Sequence, residues 1–365
     1  MTKQEPLGVA IIGCGRIAEH YATSLMTKPD KVRLIGGYDT VPERARELMG
    51  KHGARTFETH DALLANPEVQ IVLNLTIQQV HADVTTQALE AGKHVHSEKP
   101  LACSREDGAA LLRLADKKGL RLSCAPFTFL GEAQQTFIKA QRDGCIGKPM
   151  VAYAEMNWGA IERRAPRPIP YYQKGAGPLL DVGVYALTLL TSALGPVKRV
   201  IGFAQIVQPE RVIASGPDQG TKFTVETPDQ VVGGLEFECG TVGRITASFR
   251  AGQSKQANGT EFHGEGGSLF IASNTGFNAA VERYDLGTEK WSAVQYIKQP
   301  FAGIEWGRAV FDLVNSLRTS SPQRCTGRQA YHVLDICLGI LESAESGRPV
   351  KVSSRFDPPA LMPWV

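Results

Sequence analysis

The stretch GVAIIGCGRIA, from Gly8 to Ala18, decides the fold of the first part of the chain. Its apolar half is typical of a buried strand, and it runs directly into the pattern G-x-G-x-x-A. Gly13 permits the tight turn after the strand, Gly15 lets the backbone approach a pyrophosphate, and Ala18 keeps the next helix close to the strand. The pyrophosphate would lie at the N-terminus of that helix, where backbone N–H groups and the positive end of the dipole favour an anion. We therefore predict a dinucleotide-binding βαβ unit.

The residue that ends the second predicted strand supports the same interpretation. Asp39 lies 21 residues beyond Ala18, where a carboxylate can accept the hydroxyls of the adenosine ribose. It would also repel a 2′-phosphate, so NAD is the expected cofactor, although Arg44 and Arg46 one helical turn on keep NADP open. A glycine-rich turn in a nucleotide-free domain is the disfavoured alternative. The expected cofactor contacts in this region are Gly13, Gly15, Arg16, Ile17, Ala18 and Asp39.

The pattern of apolar segments divides the chain in two. Up to about residue 125, strands alternate with segments of helix length, which predicts an α/β domain with a doubly wound parallel sheet of the Rossmann type. Beyond it, β-branched and aromatic runs separated by glycine turns predict an α+β domain with a large, open, mostly antiparallel sheet. The expected domains are 1–125, for the dinucleotide, and 126–365, for substrate binding and oligomerisation. Helices are expected in the second domain over Glu132 to Asp143, Leu179 to Ala193, Gly303 to Thr319 and Arg328 to Ser346.

Composition excludes several classes of protein. The chain has 365 residues, 42% of them hydrophobic, and its net charge of +3 is too small to indicate a nucleic-acid or membrane partner. No stretch has the roughly 20 apolar residues of a spanning helix, and no secretory signal is recognisable, so a cytoplasmic location is expected. The seven cysteines are scattered without a Cys-x-x-Cys pair, which favours reduced thiols. His94 and His96 share one side of a strand but lack a third ligand, so we predict no metal site.

A tripeptide that carries chemistry follows the strand from Lys93 to Ser97. Glu98-Lys99-Pro100 comes at the carboxyl end of this strand, which is the side on which open parallel sheets bind their ligands. Pro100 disfavours helical geometry at Lys99 and places it in extended conformation. A lysine in this position can reach a bound nicotinamide and the substrate.

With these motifs in place, the chain resembles the Gfo/Idh/MocA family (glucose–fructose oxidoreductase, inositol dehydrogenase, rhizopine catabolism) over nearly its whole length. The resemblance rests on the G-x-G-x-x-A turn and on AGKHVHSEKP from Ala91 to Pro100. It also rests on GCIG from Gly144 to Gly147 and on GAGPLLDVGVY from Gly175 to Tyr185. The combination of E-K-P with D-x-G-x-(H/Y) some 80 residues later is very specific.

The resemblance assigns roles to four residues. It implies that Lys99 is catalytic and that Glu98 and Lys99 line the nicotinamide pocket. It also implies that Asp181 and Tyr185 face the substrate, although many members carry histidine in place of Tyr185. Independently, Asp181 and Tyr185 are four residues apart at the start of one predicted helix, so they share a face.

Alcohol oxidation needs a base that removes the hydroxyl proton as the hydride leaves. A tyrosine or a lysine must lower its pKa by about 3 units to serve as that base at neutral pH. For Tyr185, Lys99 and the positive nicotinamide ring would both lower the pKa. Our hypothesis is that Tyr185 is the acid/base, Lys99 polarises the reacting oxygen and Asp181 orients a substrate hydroxyl. A half-buried packing role for Tyr185 is the alternative, and it would leave Lys99 as the acid/base.

Two segments depart from the family pattern. Where the family usually has T-P-N-x-x-H, this chain has Thr76-Ile77-Gln78-Gln79-Val80-His81. Thr76 and Gln78 remain expected cofactor contacts, as does His81 with less support. Where many members have Asn-Arg, this chain has Ala125-Pro126, which removes a usual polar contact.

A proline-rich loop precedes Asp181. Its cationic and aromatic residues suit a polyhydroxylated ligand, although a solvated surface loop explains them equally well. These residues are Arg163, Arg164, Arg167, Tyr171, Tyr172 and Lys174. Trp158 and His332 are weaker candidates.

Together these features predict an NAD-dependent dehydrogenase or reductase that acts on a sugar, a sugar derivative or a cyclic polyol. A glycoside-cleaving enzyme that oxidises its substrate transiently and regenerates its NAD is a second possibility, and it would show no net cofactor turnover. A non-catalytic nucleotide-binding sensor of the same fold is a third, disfavoured because Lys99, Asp181 and Tyr185 are intact. The resemblance also implies a homodimer or homotetramer formed through the open sheet.

Overall fold

A computed structural model describes residues 5–319 and 321–365 and divides into two compact units. Unit 1 comprises the chain up to Phe127 together with Glu305–Ala330, and unit 2 comprises Thr128–Ile304 and Tyr331–Val365. The first boundary lies two residues from the expected one. The segment from 305 to 330 packs with unit 1, however, whereas a division of the sequence at residue 125 assigns it to the second domain.

The elements follow one another as strands and helices of ordinary length. The strands are β1 Leu7–Ile12, β2 Val32–Tyr38, β3 Arg55–Thr56, β4 Ile71–Asn74, β5 His94–Ser97, β6 Leu122–Cys124, β7 Pro149–Asn157, β8 Val197–Gln205, β9 Glu210–Val212, β10 Lys222–Thr224, β11 Gln230–Phe237, β12 Val242–Ser248, β13 Asn258–Gly264, β14 Gly267–Ile271, β15 Val281–Asp285, β16 Lys290–Ala293 and β17 Val350–Lys351. The α-helices are α1 Arg16–Met26, α2 Pro42–His52, α3 His60–Ala65, α4 His81–Glu90, α5 Arg105–Lys118, α6 Glu132–Arg142, α7 Val184–Leu194, α8 Arg308–Thr319 and α9 Gly327–Ser346.

Unit 1 contains a six-stranded parallel sheet in the order β3-β2-β1-β4-β5-β6. Its central strands are apolar and buried on both faces, as parallel strands covered by helices must be. The chain leaves β1 in one direction and returns on its other side at β4, so the carboxyl ends of these two strands border a crevice. The predicted doubly wound sheet is confirmed.

Unit 2 contains a nine-stranded mixed sheet in the order β16-β15-β14-β13-β7-β12-β11-β8-β17. Neighbouring strands are antiparallel, except that β7 and β12 are parallel. One face is buried, where Phe137 of α6 packs on Phe262 of β13 and Ile340 of α9 lies against β8 and β11. The other face carries exposed side chains, so the predicted open, mostly antiparallel sheet is confirmed.

Two predicted helices differ from the observed ones. The segment Leu179–Gly183 forms a wider π-helical turn, and only then does α7 begin, at Val184. The helix expected from Gly303 begins at Arg308, and Gly303 itself has a φ of +90°, outside the helical region. No helix among the described residues has the length and apolar character needed to cross a membrane.

Candidate active site

The turn after β1 is shaped for a close approach of backbone to ligand. Gly13 has a φ of +92°, and an added Cβ would lie 2.7 Å from the carbonyl of Leu75, so only glycine fits there. Gly15 is the N-cap of α1, without a side-chain cap, and an added Cβ there meets nothing within 4 Å. The face of the turn at Gly15 is therefore open. The N–H groups in the first turn of an α-helix have no acceptor within the helix, so those of α1 suit a pyrophosphate bound at this turn.

Asp39 ties this turn to the end of β2. Its side chain is nearly buried, and its two oxygens accept the backbone N–H groups of Cys14 and Val41, each at 2.8 Å. Arg44 lies farther away, with its Nη1 3.8 Å from Asp39 Oδ1. Carboxylate oxygens have two lone pairs each, so both can accept a further hydrogen bond from ribose hydroxyls. Burial, together with the charge of Asp39, raises the pKa of the Cys14 thiol to about 12, so Cys14 is an uncharged packing residue.

The segment after β4 is organised by a buried asparagine. Asn74 donates to the carbonyl of His81 at 2.9 Å and to Thr85 Oγ1 at 3.1 Å, and it accepts the hydroxyl of Thr76 at 2.6 Å. Thr76 is half-buried and Gln78 is 9% exposed. Asn74 thereby fixes both the start of α4 and the position of Thr76.

His81, which the sequence analysis proposes as a cofactor contact, is buried. It is 1% exposed, and its ring nitrogens lie 2.7 Å from the carbonyl oxygen of Pro100 and 3.1 Å from that of Thr76. Burial lowers the pKa of His81 against the opposing effect of these two carbonyls. The His81 ring therefore connects the segment after β4 to the Glu-Lys-Pro turn through these two backbone carbonyls.

The Glu-Lys-Pro turn follows β5 as predicted. The backbone N–H of Glu98 donates to the carbonyl of Asn74 at 2.8 Å, and Lys99 is half-buried. The Glu98 carboxylate is 6% exposed; it accepts the Tyr21 hydroxyl at 2.8 Å and the Lys99 N–H at 3.1 Å. Tyr21, on α1, is fully buried. Nothing in the sequence marked Tyr21, because the pattern of α1 identifies it only as a core position.

The two histidines of β5 have separate environments. His96 is fully buried, with Nε2 3.2 Å from the Tyr21 oxygen and Nδ1 2.8 Å from Ser123 Oγ, and burial lowers its pKa to about 3. His94 instead accepts the backbone N–H of Arg121 at 3.0 Å. Within residues 5–319 and 321–365, no three or more His, Cys, Asp or Glu side chains are grouped to hold a metal ion.

In unit 2 the predicted substrate-facing residues lie on the π-helical turn and the start of α7. Asp181 is 6% exposed, and its backbone N–H donates to the carbonyl of Gly177 at 2.9 Å, while Tyr185 is half-buried. Gly177 has a φ of +94°, and an added Cβ at Gly183 would lie 2.9 Å from Leu179 Cδ1. The positive φ therefore favours glycine before the turn, and Gly183 leaves room for the Leu179 side chain within it. Turns of the π type are frequent at functional sites.

The loop before Asp181 separates into an exposed and a buried part. Arg163, Arg164, Arg167 and Lys174 are exposed. Tyr172 is fully buried, and it donates its hydroxyl to Glu162 at 2.5 Å, which corrects its assignment to a substrate-covering surface. Burial, reinforced by Glu162, raises the pKa of this hydroxyl.

A buried ion-pair cluster anchors the same loop. Arg211 is fully buried, with Nη1 2.9 Å from Glu162 and Nη2 2.5 Å from Asp229, and its guanidinium lies 4.7 Å from the centroid of the Tyr172 ring. Burial alone would lower the pKa of Arg211, but Asp229, Tyr172 and Glu162 raise it overall. The cluster joins residues far apart in sequence, and no local pattern could have revealed it.

His332, a weak sequence candidate, has a structural position. It is fully buried, accepts the backbone N–H of Val197 at 3.0 Å and lies 2.9 Å from Ser354 Oγ. Burial lowers its pKa to about 4, so the ring is neutral. His332 fastens the C-terminal tail to β8 and has no opening to a ligand.

Unit 1 brings most of the predicted cofactor residues to one edge of its sheet. The turns after β1, β2, β4 and β5 lie at the carboxyl ends of adjacent parallel strands. The predicted residues in these turns and at the start of α1 are Gly13, Gly15, Arg16, Ile17, Asp39, Thr76, Gln78, Glu98 and Lys99, while Ala18 is buried. This edge therefore includes both the open N-terminus of α1 and Lys99.

Comparison with protein families gives two matches. A family model described as an oxidoreductase family with an NAD-binding Rossmann fold matches residues 7–125. A second model, described as a GFO/IDH/MocA C-terminal domain, matches residues 135–270. Between them they cover most of the chain.

Comparison with individual proteins gives relatives of the same kind. The dTDP-3,4-didehydro-2,6-dideoxy-alpha-D-glucose 3-reductase of Streptomyces violaceoruber is 34% identical over 203 residues, which are 54% of this chain and 57% of that protein. The D-glucoside 3-dehydrogenase of Escherichia coli is 24% identical over 95% of this chain and 98% of its own length. The WlbA dehydrogenase of Bordetella pertussis, solved with NADH and UDP-GlcNAcA, has the same fold, with a TM-score of 0.78 at 20% identity over 95% of this chain and 98% of that one.

Proposed function

The chain belongs to the Gfo/Idh/MocA family of oxidoreductases, and on that premise we propose that it transfers a hydride between NAD and an alcohol or carbonyl carbon of a sugar, sugar derivative or cyclic polyol. Unit 1 is an NAD-binding Rossmann domain. The relatives that span nearly the whole chain support the substrate class, since D-glucoside 3-dehydrogenase is among them. We assign cofactor binding to residues 1–125 and substrate binding to residues 126–365.

The residues of the sheet edge fit the two ends of the dinucleotide. The open face at Gly15 and the N-terminus of α1 accept the pyrophosphate, and the Asp39 carboxylate accepts the ribose hydroxyls. The negative charge of Asp39 favours NAD over NADP, whereas Arg44 at 3.8 Å partly offsets it. The bound cofactor supplies the carbon that accepts or donates the hydride. The remaining steps belong to the protein.

Three side chains divide the proton chemistry. Tyr185 takes the hydroxyl proton at its phenolic oxygen during oxidation and returns it during reduction. The Lys99 ammonium stabilises negative charge on the reacting oxygen, and Asp181 accepts a hydrogen bond from a neighbouring substrate hydroxyl. His81 positions the turn that carries Lys99, because it contacts the carbonyl of Pro100.

The observation that carries this proposal is the place of Lys99. It follows β5 at the same sheet edge as the open glycine turn, and its neighbours Glu98 and Pro100 are held by Tyr21 and His81. The lysine is thus the half-buried member of an otherwise buried turn. A purely structural lysine has no need of such a scaffold.

The test is formation of reduced nicotinamide, followed by absorbance, with NAD and a panel of sugars, glycosides and polyols. We expect one class to reduce NAD, Lys99→Met to lower kcat at least about a hundredfold, and Tyr185→Phe to do the same. Tyr185→Phe with most of its turnover intact would leave Lys99 as the acid/base. Product release without net NADH would favour transient oxidation during glycoside cleavage, and NAD binding without any turnover would favour a sensor.

The exposed face of the unit 2 sheet supports a homo-oligomer. Phe203 is 75% exposed and lies opposite Val232, which is 40% exposed; Ile201, Tyr153 and Trp291 are exposed too. An apolar sheet face of this kind is typical of a protein interface. We propose a homodimer or homotetramer, for which light scattering should give a multiple of 39.6 kDa. The seven free cysteines support a cytoplasmic location.

A further inference from the structure

A continuous chain of hydrogen bonds lies behind Glu98. It passes from Ser123 on β6 to His96 on β5, at 2.8 Å, and on to Tyr21 on α1, at 3.2 Å. It ends with the bond from the Tyr21 hydroxyl to Glu98 Oε1, at 2.8 Å. Glu98 is the most exposed of the four, at 6%, and the other three are fully buried. This series of hydrogen bonds thus connects α1, the helix that follows the glycine turn, to the turn that carries Lys99.

The chemistry of the groups sets the direction of every bond. A carboxylate only accepts, so the Tyr21 hydroxyl must donate to Glu98. The Tyr21 oxygen then accepts from His96, which places the imidazole proton on Nε2. Nδ1 is therefore the acceptor, and Ser123 Oγ–H is its donor. Burial lowers the pKa of His96 to about 3, and a neutral ring is what this arrangement requires.

We propose that Tyr21 is a positioning residue for the reaction: backed by His96 and Ser123, its hydroxyl holds the Glu98 carboxylate in one orientation. Glu98 in turn accepts the N–H of Lys99 at 3.1 Å, so the chain also orients the backbone of the catalytic lysine. The inference rests on the proposed function, because it concerns the nicotinamide end of the cofactor site.

An oriented carboxylate has a measurable consequence that does not involve turnover. The oxidised nicotinamide ring is positively charged and the reduced ring is neutral, so a fixed negative charge beside it favours binding of NAD+ over NADH. If the Tyr21 hydroxyl is removed, the carboxylate loses its donor and its fixed direction. The preference for NAD+ should then decline, while the shared adenosine and pyrophosphate contacts stay the same.

The experiment is calorimetric titration with NAD+ and with NADH, and the readout is the ratio of the two dissociation constants. Glu98→Gln removes the charge and should reduce the preference for NAD+ about tenfold. Tyr21→Phe keeps the ring that packs on Trp306 at 5.6 Å and on Phe127 at 6.1 Å, and it should reduce the preference about threefold. Ser123→Ala, at the far end, should have a smaller effect.

Two matched comparisons separate positioning from stability. His96→Gln keeps one donor and one acceptor and should retain the wild-type ratio, whereas His96→Leu breaks the chain and should behave like Tyr21→Phe. In the double variant Tyr21→Phe/Glu98→Gln, loss of the Tyr21 hydroxyl should add nothing to the effect of Glu98→Gln alone, because Tyr21 acts through Glu98.

The outcomes distinguish the two proposals. A wild-type protein that binds neither nucleotide would overturn the proposed function and this inference with it. Normal binding with a ratio unchanged in Tyr21→Phe, or additive effects in the double variant, would overturn the inference alone. A lower melting temperature without any change in the ratio would show that the hydroxyl only stabilises the fold.

Discussion

Each unit buries carboxylates, but the two units hold them in different ways. In unit 1, Glu98 accepts hydrogen bonds from neutral donors, the Tyr21 hydroxyl and the Lys99 backbone N–H. In unit 2, Glu162 and Asp229 flank a fully buried guanidinium, that of Arg211. The first arrangement holds a carboxylate in one orientation beside the proposed cofactor site. The second pairs both carboxylates with one buried guanidinium, which partly offsets their charge within the core and anchors a loop.

The difference teaches where each unit can tolerate change. Removing a neutral donor, as in unit 1, leaves a buried acceptor without its hydrogen bond and should lower the free energy of unfolding by about 1–3 kcal/mol. A buried cation that is lost leaves its carboxylates unpaired in a medium that solvates them poorly, with a penalty of about 3–5 kcal/mol. Losing one partner should therefore destabilise the network of unit 1 less than that of unit 2.

The largest effect is expected for Arg211→Met. It leaves Glu162 and Asp229 without their partner and should lower the free energy of unfolding by about 3–5 kcal/mol, measured by urea denaturation. Adding Glu162→Gln and Asp229→Asn removes both charges and should restore much of the loss. If Arg211→Met alone unfolds at the wild-type urea concentration, the cluster does not anchor the loop as described.

Acid should weaken both units through their neutral histidines. The pKa of His96 falls from 6.5 to about 3 on folding, and that of His332 to about 4, so the unfolded chain takes up protons first as the pH falls. The contribution of each ring is complete above pH 6.5 and declines below it, by about 2 kcal/mol per ring at pH 5. The loss can be measured from the urea midpoints of unfolding between pH 7 and pH 5. In His96→Gln, the part of the loss that is due to His96 should be absent. Equal midpoints at the two pH values would contradict the assignment of neutral rings.

A smaller loss of stability is expected for Tyr21→Phe. The ring stays in place, but the bonds of its hydroxyl to Glu98 and to His96 disappear, so the free energy of unfolding should fall by about 1–2 kcal/mol. The same urea series measures it. A loss as large as that of Arg211→Met would erase the distinction drawn between the two networks.

The smallest effect is expected for Arg199→Met, the exposed counterpart of Arg211→Met. Arg199 pairs with Glu236 at 2.7 Å, but its side chain is 59% exposed. Exposed pairs contribute little to stability, so the urea midpoint should stay at the wild-type value. A marked shift here would mean that burial does not explain the sensitivity of Arg211.

The parts of the molecule that sequence analysis predicted are those with a local signature. The parallel sheet, the glycine turn, Asp39 and the Glu-Lys-Pro turn are each encoded within a few consecutive residues. The hairpin of β15 and β16 was missed although Gly287 lies in its turn, and α3 was missed although Thr59 caps it by accepting the N–H of Ala62. Both carry signals that a closer inspection could use.

What was not predictable depends on distant pairs. Tyr21 lies 77 residues from Glu98, and Arg211 lies 49 residues from Glu162, so neither contact leaves a pattern in sequence. The packing of residues 305–330 with unit 1 is of the same kind. The π-helical turn at Asp181 is a further feature that the periodicity of the apolar residues does not indicate.

The measurement that tests the central claim most directly is transfer of deuterium in a single turnover. Enzyme in excess is mixed with NAD and a substrate from the panel that carries deuterium at the oxidised carbon, and the nicotinamide is analysed by mass spectrometry. Hydride transfer predicts one deuterium in the reduced ring, and none with Lys99→Met over the same time. Product formed without deuterium in the cofactor would contradict the account.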